Sequence, residues 1–169
     1  MPLPRITKPV MSLPYFRVTG LQTFEKCPYR WAVEFLHDKR GPDNIFSTSG
    51  TLIHKALELT CLKKQNPNSV EDLKLKNSIN AAKHFLKVNF PENEQENFDY
   101  YLNNFNEVLS SGYQIVATEF EFDLMFDPNF PIIRGHIDLI MIAPDGIIEI
   151  WDYKTNRVEE SIGEWEQKL

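Results

Sequence analysis

The feature that most constrains this chain is a short stretch in its second half: Gly135-His136-Ile137-Asp138, a Pro144-Asp145-Gly146 turn, and Ile150-Trp151-Asp152-Tyr153-Lys154. Ile-rich apolar runs on either side of a turn tripeptide predict two adjacent antiparallel strands joined by a tight connection. Asp138 lies seven residues before Asp145 and Asp152 seven after it, so a turn centred there sets the two carboxylates opposite each other on one sheet face. Directly paired residues have Cβ atoms about 5 Å apart, near enough for both carboxylates to hold one divalent cation. Lys154 follows Asp152 by two residues, and the period of two along a strand sends its ammonium to the same face. Ile148 and Ile150 share that face, which puts the charges at the end of an apolar stripe. Spacing alone leaves two readings open. The charges form a cross-strand ion-pair cluster of modest worth, or they form a metal site. The second reading follows because strands this apolar on both faces read as buried, and buried like charges repel unless a cation or proton intervenes.

A chain of 169 residues fits one domain able to bury about two thirds of its unfolded surface. The chain divides into an extended N-terminal arm, 1–14, and a single domain, 15–169. The arm carries four prolines and no continuous apolar stretch, unlike a signal peptide. No apolar run approaches the ~20 residues of a membrane span, so no membrane association is expected and the cytoplasm is the default location. Cys27 and Cys61 stand in unlike contexts, which argues for free thiols and against a disulfide framework or a thiolate zinc site. Net charge is −6, yet residues 1–90 hold 14 Lys and Arg against 7 Asp and Glu, and residues 91–169 hold 4 against 17. An acidic part that gathers metal ligands and a basic part that meets phosphates suit a metal-dependent enzyme acting on nucleic acid. Solvated helix faces of unequal charge give the same asymmetry.

Periodicity predicts helices first and strands later. Thr19 to about His37 reads as helical pieces interrupted at Pro28, a residue tolerated at a helix start. After Gly41-Pro42-Asp43-Asn44, Ser47 or Ser49 is expected to cap a helix running to about Lys64. Val70–Val88 and Glu94–Ser110 predict two more helices, and Ile115–Phe126, Ile132–Ile142 and Ile147–Lys154 three strands. Helices on one face of a three-stranded, mainly antiparallel meander make an α+β fold. The other face needs a cover, and Glu159–Leu169 reads as the start of a helix.

In the third predicted helix Gly50, His54, Leu57 and Cys61 recur at spacings of four, three and four, which marks one face. A lone histidine there is ordinarily a core or partly exposed residue, but imidazole is also a competent metal ligand and the sheet already offers carboxylates. Glu58 is expected to pair with Lys55 on the surface. Glu119 and Glu121 read either as outer acids of the site or as exposed strand residues. His136 and the Tyr29-Arg30-Trp31 run read as substrate contacts or as ordinary packing.

The chain order His54, Asp138, Asp152-Tyr153-Lys154 resembles the PD-(D/E)XK nuclease superfamily, in particular its RecB-type branch of helicase-associated and CRISPR-associated adaptation nucleases. The local matches are Gly50-Thr51-Leu52-Ile53-His54-Lys55-Ala56-Leu57-Glu58 for the histidine helix, Gly135–Ile140 and Trp151–Thr155 for the two acidic strands, and Phe24–Trp31 for the N-terminal Cys-Pro helix. The resemblance implies a restriction-endonuclease-like core and Mg²⁺- or Mn²⁺-dependent hydrolysis of DNA, in repair, recombination or defence. It implies metal ligation by His54, Asp138, Asp152 and the main-chain carbonyl of Tyr153. Catalysis would rest on Asp138, Asp152 and Lys154, and substrate contacts on His136, Arg30 and Gln167. Two departures matter. The branch continues past the lysine strand with a Gln-x-x-x-Tyr helix, whereas Gln167 here is followed only by Lys168 and Leu169. The resemblance therefore implies a C-terminally shortened chain with an incomplete terminal helix, completed by another polypeptide such as a helicase, or a noncatalytic binding or assembly module derived from such a nuclease. Cys61 stands outside the cysteine positions of iron-sulfur members, so no cluster is expected.

Overall fold

The computed structural model describes residues 15–39, 41, 44–90 and 94–154. A three-residue strand, β1 (Tyr15–Arg17), leads into α1 (Val18–Lys26), and Pro28 then starts a second turn, α2 (Pro28–Trp31). Proline suits that position because the first helical N–H has no intrahelical partner to lose. A π-helical turn, Ala32–Leu36, follows directly. Trp31 is 4% exposed and packs on Phe16, Phe24 and Phe35, so the aromatic run around Trp31 builds a small satellite core. Arg30 pairs instead with Glu34 at 2.6 Å on the surface.

The long helix α3 (Ile45–Gln65) is capped by Asn44, whose side-chain oxygen accepts the Ser47 N–H at 2.9 Å. The cap thus falls three residues before the first serine expected to supply it. Asn44 leaves the loop in extended conformation and its amide oxygen serves as well as a hydroxyl. Helices α4 (Ser69–Asn89) and α5 (Glu94–Ser110) follow, with Asn68 capping α4 through the Glu71 N–H. Ala56, Leu57 and Cys61 of α3, Ala82 and Leu86 of α4, and Phe98, Phe105 and Leu109 of α5 close around Leu139 and Met141 of the sheet.

The sheet contains β2 (Gln114–Leu124), β3 (Ile132–Ile142) and β4 (Ile148–Trp151), with β3 antiparallel to both its neighbours in sequence and parallel to β1. The three-strand meander expected from the sequence is therefore joined by a fourth, short strand at an edge. Three residues carry no readable alternation, and the partner of β1 lies more than a hundred residues away. Pairing of Ile140 with Ile150 and of Leu139 with Trp151 matches the predicted register, which one further step would bring to Asp138 and Asp152.

One expectation about the strands is corrected. They are not buried on both faces among the described residues: Leu139 and Met141 are fully covered by the helices, whereas Ile148 and Ile150 on the opposite face are each 67% exposed. The helices cover one side only, and the apolar stripe on the other reflects a face for which no described element supplies a partner. Glu159–Leu169, expected to begin a helix, and the arm 1–14 lie outside the described residues. The arrangement is an α+β, restriction-endonuclease-like core, with α3 laid across β2 and β3.

Candidate metal centre

His54 is carried on the inward stripe of α3, where the sheet stops it short of the core, and its side chain remains 30% exposed. Its Nε2 donates to the carbonyl of Tyr153 at 2.8 Å, and its Nδ1 lies 3.6 Å from Asp138 Oδ1. A carbonyl only accepts, so the Nε2–H tautomer is the one this geometry requires. Asp138, on β3, is 9% exposed. Its second oxygen, Oδ2, accepts the Tyr153 N–H at 2.7 Å. Both main-chain polar groups of Tyr153 are thus engaged by the two residues nearest the centre of the site.

The third member is Glu119. By the ladder of β2 on β3, in which Thr118 faces Leu139 and Phe120 faces Ile137, Glu119 falls opposite Asp138. Its φ is +50°, a left-handed conformation in the middle of a strand. Such a backbone costs a non-glycine residue of order 1–3 kcal/mol and persists where surrounding structure imposes it. The carboxylate reaches His136 Nε2 at 3.0 Å. Burial pushes the Glu119 carboxyl above the usual range, partly opposed by His136 and reinforced by the Asp138 charge. One ligand atom each from His54, Glu119 and Asp138 lie within 4.8 Å of one another.

This donor set fits a hard divalent cation. Two carboxylates, one imidazole and an adjoining carbonyl are chiefly oxygen ligands, the choice of Mg²⁺ and Mn²⁺, and no thiolate is near enough to favour a softer metal. The Cys61 thiol is buried in the core and pushed up to about 12 by burial, whereas Cys27 is exposed and accepts the Arg30 N–H at 3.4 Å.

Asp152 and Lys154 stand beside this cluster and not within it. They pair with each other, with side chains 60% and 72% exposed. Both line a cleft of about 590 Å³ between the start of α1 and the sheet, together with Asp138, His136, Arg134 and Arg17. His136 lines the cleft, with its Nε2 3.0 Å from Glu119. Arg30 is not among its lining residues, and its guanidinium is taken up by Glu34. Gln167 lies outside the described residues. The sequence reading missed Arg17 and Arg134, cations of the cleft wall that no motif marks. Arg134 is held by a two-pronged bond to Asp123 at 2.7 and 2.8 Å and lies 4.4 Å over the Tyr15 ring. Glu119 was legible only as one of two possible outer acids, because its left-handed backbone breaks the alternation that strand reasoning assumes.

Among the described residues no helix is long and apolar enough to cross a membrane. No curated protein matches the chain. A family model does match, from residue 16 to residue 168, a span that takes in the histidine helix and both acidic strands. By that match the chain belongs to the PD-(D/E)XK nuclease superfamily.

Proposed function

We propose that the chain is a Mg²⁺- or Mn²⁺-dependent deoxyribonuclease of the RecB-type branch, acting in DNA repair, recombination or defence. The observation that carries this is the convergence of His54, Glu119 and Asp138 to within 4.8 Å beside the Tyr153 carbonyl, with Asp138 also lining a cleft that bears Arg17, Arg134 and Lys154. In this reading His54, Asp138, Asp152 and the Tyr153 carbonyl hold the cation, and Glu119 joins them from the neighbouring strand. The chemistry a divalent cation would supply when held there is acidification of a bound water and neutralisation of charge on the phosphate oxygens.

The chain's own groups supply the rest. Arg17 and Arg134 draw the phosphate backbone along the cleft, as cations do for nucleic acid without regard to sequence, and His136 lines the same cleft. Asp152 would serve as a further oxygen ligand, and Lys154, freed from it, would orient the attacking water or face the negative charge of the transition state. The water oxygen forms the new bond to phosphorus as the ester P–O bond breaks, leaving a phosphomonoester and an alcohol.

End-labelled single- and double-stranded DNA incubated with Mn²⁺, Mg²⁺ or EDTA, beside Lys154→Ala, tests the proposal. Metal-dependent cutting lost in Lys154→Ala, with Mn²⁺ still bound, is the expected result. The exposed, mutually paired state of Asp152 and Lys154 favours a second reading, a noncatalytic binding or assembly module that holds a cation without turnover. Equal absence of cutting in the parent and variant chains, with metal bound to both, would select it.

A further inference from the structure

We infer that the Tyr153 side chain is a positioning residue, a buried peg that holds the Asp152–Lys154 segment in register with His54 and Asp138 after the strand that delivers it has ended. The inference rests on the reading of this site as a cation centre and adds a residue to it.

The last cross-strand pair between β3 and β4 is Leu139 with Trp151. Beyond it no ladder holds the chain, yet Tyr153 is where main-chain geometry matters most. Its N–H donates to Asp138 Oδ2 at 2.7 Å and its carbonyl accepts from His54 Nε2 at 2.8 Å. The flanking side chains offer little anchorage, since Asp152 and Lys154 are exposed and pair with each other. The ring between them turns the opposite way, into the protein.

That ring is fixed on three sides. Its edge meets His54 at 5.4 Å between centroids and Phe105 at 5.7 Å, both at 90°. Edge-to-face contacts of this kind are directional and resist rotation of the ring. Its hydroxyl lies 4.0 Å from the sulfur of Cys61, which is fully buried. His54 and Cys61 are seven residues apart on α3, two turns along one stripe. The tyrosine thus lies lengthwise along the helix that carries the histidine, touching it at the site with its backbone and in the core with its hydroxyl. Sliding of the Asp152–Lys154 segment along α3 would break both ends of this span at once. Burial raises both the thiol and the phenol, so the contact between them is one of neutral groups.

The test compares Tyr153→Phe, which keeps the ring, with Tyr153→Leu, which removes it. Leu109→Ala, a buried position elsewhere in the same core, serves as a control for stability alone. Four quantities are measured: resistance to urea, Mn²⁺ affinity from the free-ion EPR signal, kcat and KM on a single-stranded oligonucleotide, and the metal-free His54 imidazole resonances in ¹H–¹⁵N spectra. Outer partners of metal ligands typically account for about 10–100-fold in affinity or activity. Tyr153→Leu should accordingly lose about tenfold or more in Mn²⁺ affinity and in kcat with KM little changed, and should lose the hydrogen-bonded Nε2–H signal of His54. Tyr153→Phe, which keeps both ring contacts and loses only the hydroxyl's contact with Cys61, should fall between the parent chain and Tyr153→Leu in each quantity, and Leu109→Ala should lose stability alone.

A Tyr153→Leu chain that loses stability like Leu109→Ala, yet keeps the His54 signal and Mn²⁺ affinity, overturns the inference. Should Tyr153→Leu fail to fold, Phe105→Leu loosens the ring from its far side, and unchanged Mn²⁺ affinity and His54 resonances there would be equally fatal. Failure of the parent chain to bind Mn²⁺ refutes the cation centre and with it the role in ligand binding. In that event the metal-free His54 spectrum still shows whether the ring holds the segment, so the two failures are told apart.

Discussion

Glu119 holds a left-handed backbone, φ +50°, inside an eleven-residue strand. Strain of this sort costs of order 1–3 kcal/mol, and burial adds to it by disfavouring the charged carboxylate. Stability and metal binding therefore pull against each other at this position. Glu119→Asn is expected to stabilise the metal-free chain by about 0.5–1 kcal/mol, since asparagine tolerates the left-handed region. It is also expected to weaken Mn²⁺ binding by about tenfold or more, because one anionic ligand becomes neutral. Urea denaturation and Mn²⁺ titration of the same preparation decide it; a less stable variant with unchanged affinity would contradict the account. His54 was legible beforehand because it lies on regular helix, where a period of 3.6 predicts direction, and Asp138 because its spacing from Asp152 and the motif around it mark it. The direction of Glu119 depends on one dihedral angle that no sequence pattern encodes.

Among the elements, the β2–β3 ladder is the one whose sequence leaves least freedom. The ring of Phe122 lies over Gly135, its partner across the ladder, so closely that a Cβ built on the glycine would meet the ring at 2.0 Å. An aromatic laid over a strand glycine covers backbone that lacks a side chain of its own. Gly135→Ala should therefore displace Phe122 or bend β3 three residues before Asp138, at a cost of about 1–3 kcal/mol. Urea denaturation measures that cost, and Mn²⁺ affinity, expected to fall in parallel, reports whether the distortion reaches Asp138. The bounds of α5 and β3 were read from the sequence as the structure has them and those of α4 within one residue, whereas α3 is capped at Asn44, three or five residues before the serines expected to cap it. Both helices and long strands repeat their pattern over several periods. By contrast β1 has three residues and gains its strand character only from β3, and β4 ends at Trp151, three residues short of the expected Lys154. The loss at β4 follows from Tyr153, which turns its main-chain groups to His54 and Asp138 and so leaves the ladder.

At the scale of the whole molecule, the candidate centre draws His54 from α3, Glu119 from β2 and Asp138 from β3, with the main chain of Tyr153 joining them just beyond β4. An ion bound only by the assembled chain stabilises it by RT ln(1 + [L]/Kd), about 2.7 kcal/mol at a hundred times Kd. For a domain of this size that amounts to a rise in melting temperature of about 5–10 °C. Differential scanning fluorimetry with Mn²⁺ against EDTA should show the shift in the parent chain and lose it in Asp138→Asn. A cluster of charges serving only as structural ion pairs would show none in either. The α+β class and the order of the putting together of helices and strands were open to sequence reasoning because pattern fixes each element locally. The exposed face bearing Ile148 and Ile150 was not, since burial depends on which elements stand opposite, and composition does not reveal that.

The bond between His54 and Tyr153 joins residues 99 positions apart. Contacts of such separation form late, because the entropy of closing the intervening loop is lost before they return anything. During synthesis α3 emerges long before the Tyr153 that completes its site, and a ribosome-bound intermediate carrying the helices alone has no means of gathering the donor set. The donor set is therefore gathered only after β2, β3 and the Tyr153 segment have folded against α3.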